Sequence, residues 1–276
     1  MNKIIDSFIF FNEIDLLLYR LSILNDIVDK FIIVEATYSF SGKKKELFYN
    51  NNKELFKNFN DKIIHIIIDD IPFKYPNINY SNNQQWENEY YQRNSISKGI
   101  NKIINNLQDN DIIITSDLDE IPDPRVLKKI ISNQINYDKE GLNKLCLDMY
   151  YYNLNLRVGK GQNWNGIKLL NIKTYKSIKL TFQQMRVWEH THNVNAIPYS
   201  GWHLSYFGDI NFIINKIKNF SHQEYNNSKY IDKNILEYKI KNNINIIGGL
   251  DLQYILISDN KNLPYKYDIF LKKYIS

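Results

Sequence analysis

Cysteine is all but missing from these 276 residues, and with Cys146 alone no internal disulfide can form. Cys146 lies in an apolar stretch with strand character, which predicts a small buried residue in a reducing compartment. No run of about 18 uncharged apolar residues occurs, so no membrane-spanning helix is expected. The apolar N-terminal run is broken by Asp6, Glu13 and Asp15, unlike a signal peptide, and a cytoplasmic location is expected. Tight basic runs are scarce: Lys43-Lys44-Lys45 stands alone, with no nucleic-acid-binding motif beside it. Nucleic acid is therefore not an expected partner. There is also no repeat of solenoid length.

What is present is an ordinary globular balance, 43% hydrophobic and 24% charged. Aromatics are abundant, with 21 Tyr, 14 Phe and 4 Trp, suited to packing in strands or to stacking on sugars or bases. A net charge of +5 and a pI near 8.9 suit an acidic ligand such as a diphosphate. The length allows one large domain, expected over residues 1–276, and oligomeric state is not legible.

Apolar strands at 4–11, 31–37, 63–68 and 111–116 alternate with helical patterns at 13–24 and 85–107. Such alternation predicts an α/β fold with a mostly parallel central sheet flanked by helices. After Pro122 and Pro124 the texture changes. A short helix to about 131 leads to Tyr-rich strands at 145–156 and 167–175, then helices at 209–220 and 229–241. A nucleotide-binding half (1–122) and a mixed acceptor-side half (123–276) are expected.

Asp117-Leu118-Asp119 follows the last strand of the first half, at the edge where open α/β sheets bind ligands. Two carboxylates two residues apart can face one hard cation, Mn²⁺ or Mg²⁺, while Leu118 turns inward. Such a cation would neutralise a diphosphate leaving group. A phosphatase of the haloacid type would carry Thr where Ile121 stands. Arg93 and Asn94 can bind phosphate and sugar hydroxyls. Glu35 can accept from a base or ribose, and Lys43, after Gly42, can oppose phosphate. Trp202 and His203 pair a stacking ring with a metal or phosphate contact, and His222 is a further donor-site candidate. An inverting transfer also needs a general base, for which Glu189 is the first candidate and Asp148 and Asp251 the next.

Five segments carry a resemblance: Asp6-Ser7-Phe8-Ile9-Phe10-Phe11-Asn12-Glu13, Phe40-Ser41-Gly42-Lys43, Tyr91-Gln92-Arg93-Asn94, Ser116-Asp117-Leu118-Asp119-Glu120-Ile121-Pro122 and Gly201-Trp202-His203-Leu204-Ser205. In this order they resemble glycosyltransferase family 17. The resemblance implies a GT-A-like fold, a UDP-sugar donor such as UDP-GlcNAc, a glycan or other hydroxyl acceptor, and inversion at the anomeric carbon. The chain departs from the family's pattern in showing no apolar run long enough for a membrane anchor and in having Lys44 and Glu46 where prolines are expected. Two other readings stand beside this one: a non-catalytic nucleotide-sugar or carbohydrate-binding module, and a metal-dependent phosphohydrolase.

Overall fold

The structure, a computed structural model, describes residues 2–159 and 163–276. Strands β1 (Ile4–Phe10), β2 (Lys30–Ala36), β3 (Ile63–Ile68) and β4 (Ile112–Asp117) run parallel in the order β3-β2-β1-β4. Their side chains alternate between two cores. On β1, Ile4, Phe8 and Phe10 join Leu17 and Leu21 of the Ile14–Leu24 helix, whereas Ile5 and Ile9 join Ile96 and Ile100 on the other face. Burial on both faces explains why these strands read as continuous apolar runs.

Beyond β4 come β5 (Glu120–Pro122), β6 (Asn143–Tyr151), β7 (Leu156–Val158), β8 (Trp164–Asn171), β9 (Asn195–Ile197), β10 (Gly201–Ser205) and β11 (Leu252–Tyr254). Here the expected mostly parallel sheet is corrected: the sheet is mixed. β8 lies antiparallel to β4, and β6 antiparallel to β8. The connection from β6 to β8 is taken up by β7, which turns back to pair antiparallel with β6, so no crossover helix to a parallel strand forms.

The helix expected over 85–107 is broken into Gln84–Asn94, Ile96–Asn101 and a tight turn at Ile104–Asn106. At the first break the Ser95 hydroxyl donates to the Tyr91 carbonyl (2.9 Å), competing with the helix ladder. The strand expected over 145–156 stops at Tyr151 because Tyr152 takes φ +68°. That expected over 167–175 gives way after Asn171, whose side chain caps a helix at Ile172–Ile178.

A third core, with Tyr151, Tyr206, Ile213, Ile217 and Leu236, seats the helices Ile210–Asn219 and Lys233–Lys241 on β6, β7 and β10. A cleft opens between this lobe and the C-terminal edge of β1 and β4. Among the described residues no helix is long and apolar enough to cross a membrane.

Candidate functional site

The 117–120 loop is shaped from beneath by Arg20, which has no exposed surface. Its guanidinium grips Asp6 through two bonds (2.6 and 2.8 Å) and the Ser116 hydroxyl (2.8 Å). It also donates to the carbonyls of Asp117 (3.0 Å), Leu118 (3.1 Å) and Glu120 (2.7 Å). Arg20 thus turns the backbone so that Leu118 joins the core and Asp117 and Asp119 face the cleft.

The cleft encloses about 520 Å³. Arg93 donates to Asp117 Oδ1 at 2.8 Å, and Arg186 to Asp117 Oδ2 at 3.1 Å. Lys216 lies 2.8 Å from Asp119 Oδ2 and 3.4 Å from Glu13, and His203 Nε2 lies 3.6 Å from Asp119 Oδ2. Burial alone would raise both aspartates. The cations reverse this, so Asp117 is lowered and Asp119 is held well below the usual carboxylate range. Burial likewise opposes the charge on Lys216 and Arg186, and their carboxylate partners overcome it and raise both. Asp117, Asp119, Arg186 and Lys216 are therefore charged at neutral pH.

Glu120 is saturated: Arg186 donates to both its oxygens (each 2.6 Å), the Asp117 amide to one (3.0 Å), and the Trp164 indole N–H to the other. Gly166 makes room for this arrangement, since a Cβ there would strike both Glu120 and Arg186. Glu89 accepts from Arg93 (2.8 Å) and from the Ser221 hydroxyl. Two buried nitrogens of the lining, Arg93 Nε and His203 Nδ1, have no partner among the described residues.

Of the residues singled out in the sequence, the cleft gathers Asp117, Asp119, Arg93, His203 and His222. The others stand elsewhere. Trp202 and His203 are neighbours on β10 and so face opposite ways. His203 is in register with Met149, and both line the cleft; Trp202 is in register with Asp148, and neither does. The Trp202 indole bonds the Asn262 carbonyl within the core (2.8 Å), and Asp148 pairs with Arg157. Glu35 is enclosed between the Tyr49 amide and His65 (3.0 Å each). Lys43 is exposed beside the cleft, and Lys45 lines it instead. Asn94 receives the Gln183 amide (2.9 Å), anchoring the Phe182–Val187 helix. Glu189 bridges Lys144 and Lys168 (3.1 Å each), and Asp251 is exposed. None of the three candidate bases reaches the cleft. Its carboxylates are Glu13, Glu89, Asp117, Asp119 and Glu120.

Sequence reading passed over Arg20, Arg186, Lys216 and Trp164. Glu13 and Glu120 sat within the motifs without receiving a role. The partners of Arg186 and Lys216 are 69 and 97 residues away, so no local signal marked them.

Among the described residues no three His, Cys, Asp or Glu side chains converge as a metal cluster. Asp119 and His203 do converge, and a cation, the Lys216 ammonium, already lies against Asp119. That pair fits two positions around a hard cation whose remaining ligands come from water and from a bound diphosphate.

The sequence pattern of glycosyltransferase family 17 matches residues 1–262. Among solved structures, the chain is similar to a glycosyltransferase involved in glycosylation of the major capsid of PBCV-1. Identity there is 9% and the TM-score 0.30, over 71% of this chain and 80% of that one. It is also similar to the apo-form glycosyltransferase GlyE of Streptococcus pneumoniae TIGR4, at 11% identity and TM-score 0.32. That match covers 100% of this chain and 60% of the other. No curated protein matches.

Proposed function

The chain belongs to glycosyltransferase family 17, and from that premise we propose that its cleft transfers a sugar, GlcNAc from UDP-GlcNAc, to an acceptor hydroxyl with inversion, in a GT-A-like arrangement. The observation that carries this reading is the network of ion pairs around Asp117 and Asp119 at the C-terminal edge of β4. Nucleotides bind at that edge of open α/β sheets. Two unpartnered buried nitrogens beside it, on Arg93 and His203, are available to ligand oxygens.

Charge supports a divalent cation. Lys45, Arg93, Arg186 and Lys216 face five carboxylates across the cleft, a formal excess of one negative charge before any diphosphate enters. Mn²⁺ or Mg²⁺ held by Asp119 and His203 would offset that repulsion and stabilise the negative charge growing on the departing diphosphate. Arg93 and Arg186, fixed by Asp117, would orient the phosphates and the sugar, and Lys216 would turn from Asp119 to the diphosphate. The acceptor proton needs a carboxylate that is not over-neutralised. Asp117 carries two arginines and Glu120 is saturated, which leaves Glu13 and Glu89, with one cationic partner each.

Calorimetry with UDP, with and without Mn²⁺, followed by UDP release from UDP-GlcNAc, tests the reading. Mn²⁺-dependent UDP binding should disappear in Asp119→Ala. Of Glu13→Gln and Glu89→Gln, one should keep UDP binding and lose about 10²–10⁴-fold in transfer. Equal UDP affinity with and without metal would remove the cation. Phosphate release from simple esters, with none of UDP from the sugar nucleotide, would make the protein a phosphohydrolase.

A further inference from the structure

Lys168 has no exposed surface, and it stands directly opposite Lys144 in the antiparallel pairing of β8 with β6. Two ammonium groups therefore share one face of the sheet. Like charges so placed repel, and a buried ammonium without a partner is costlier still. Glu189 answers both, with Oε1 3.1 Å from the Lys168 ammonium and Oε2 3.1 Å from that of Lys144. The Lys168 ammonium also donates to the Asn165 carbonyl at 2.6 Å. Burial pushes Lys168 below the usual lysine range, against the opposing pull of Glu189. Neither Lys168 nor Glu189 lines the cleft. A buried ion pair adds little stability over apolar side chains of the same volume, so what it holds in place matters more.

Glu189 holds the end of the Phe182–Val187 helix, which runs straight into the turn Trp188–His190. Six residues make a helix too short to persist by itself, and this one buries only Phe182 and Met185. Its start is secured by the Thr181–Gln184 capping box and by Asn94, which accepts the Gln183 amide. Its end is secured by the two lysines through Glu189. Between these anchors Gln183 accepts from Arg93 (2.5 Å), and Arg186 donates to Asp117, Glu120 and the Gly166 carbonyl (2.6 Å). Arg186 and Lys168 thus hold adjacent carbonyls at the start of β8. Resting on the glycosyltransferase reading, we propose that Lys168 is a positioning residue: through Glu189 it fixes the helix end that aims Arg186 at Asp117 and at the diphosphate. A guanidinium fork acts on phosphate only when its direction is set beforehand. A frayed helix end would let Arg186 swing away from the Asp117 carboxylate, three residues upstream of the released Glu189.

The test compares the full-length wild type with Lys168→Met, which leaves Glu189 paired to Lys144, and with Glu189→Gln, which keeps the side-chain shape. The first measurement needs no activity: phenylglyoxal labelling of arginines, read residue by residue by mass spectrometry. Arg186 should label at least about fivefold faster in both variants through local opening, while fully buried Arg20 stays protected. The second is UDP release from UDP-GlcNAc with Mn²⁺, repeated in an Arg186→Lys background. Lys168→Met should lower kcat/KM at least about tenfold alone and less than about twofold in that background, where nothing is left to aim. If Arg186→Lys leaves no turnover, the same cycle is read on UDP affinity by calorimetry. A residue that merely supports the fold would cost the same in both backgrounds and expose Arg20 together with Arg186. Either of those results, or Arg186 labelling that does not change, overturns the proposal. A wild type that releases no UDP, while Arg186 labelling still responds to Lys168→Met, would leave the hold on Arg186 standing and remove the glycosyltransferase reading instead.

Discussion

Lys43 and Lys45 are two residues apart, yet one is exposed and the other lines the cleft, with its ammonium 5.3 Å from the Phe11 ring and 5.4 Å from that of Phe48. Burial pushes the Lys45 ammonium down to about 8, against the pull of Glu35, Glu13 and Glu46. Its charge is therefore present below that pH and lost above it. If Lys45 faces the diphosphate, UDP affinity should fall about tenfold, near 1.4 kcal/mol, between about pH 7 and about pH 9. Lys45→Met should bind more weakly at the lower pH and show no such decline; a wild-type slope that survives in the variant assigns the titration to another group. Arg20 acts at the same scale by a different route. Arg20→Met strips Asp6 of its only cation among the described residues, in a fully buried place, and frees three carbonyls of the acidic loop. Loss of one partner from a buried pair costs about 3–5 kcal/mol, so the denaturant midpoint should drop sharply. A midpoint within error of the wild type would show that the loop holds its shape unaided.

Among the elements, the short helix Ile96–Asn101 and strand β8 each depend on one glycine, with separable consequences. Gly99 lets that helix lie directly on β2, where a Cβ would collide with the Ile32 side chain. Gly99→Ala should cost about 1–3 kcal/mol of stability through overpacking, with the cleft chemistry unaffected in the folded fraction. Gly166 instead faces Glu120 and Arg186. Gly166→Ala should reduce sugar transfer by more than its effect on thermal stability, because the displaced groups orient Asp117 rather than carry the core. Thermal melts beside UDP-release rates separate the two, and equal losses in both measurements would erase the distinction. The broken helix over 84–106 shows why periodicity overshot here. Ile96, Ile100, Ile103 and Leu107 keep helical spacing past the helix end at Asn101, so the apolar pattern reads as continuous while the backbone does not.

Across the whole molecule, the lobe built on Ile213, Ile217 and Leu236 has its own core and reaches the parallel half through polar and aromatic contacts over the cleft. Lys216 meets Asp119 and Glu13, the Asn219 carbonyl accepts from the Ser41 amide (3.3 Å), Ser221 meets Glu89, and His222 packs edge-on against Trp86 at 4.6 Å. A ligand between the halves should tighten these contacts, so hydrogen exchange over residues 210–222 should slow when UDP and Mn²⁺ are added. Protection confined to β1 and β4 would show that the lobe does not respond to the donor. The sequence by itself determined the four strands of the parallel half and the position of Asp117 and Asp119 at their edge. A doubly buried strand must be apolar along its length, and a ligand-facing loop must follow it, so both facts are written locally. It also carried the family, through motifs that lie contiguous in the chain. Tertiary structure alone decided the direction of β8 and β6, which depends on which strands each one pairs with. It also decided which of two adjacent residues, Trp202 or His203, looks into the cleft. Above all it decided which charges meet: Lys216 finds Asp119 across 97 residues, while Glu189 is claimed by Lys144 and Lys168 outside the cleft. A carboxylate's role follows from the partner it is folded against, and partners this far apart leave no periodic trace in a sequence.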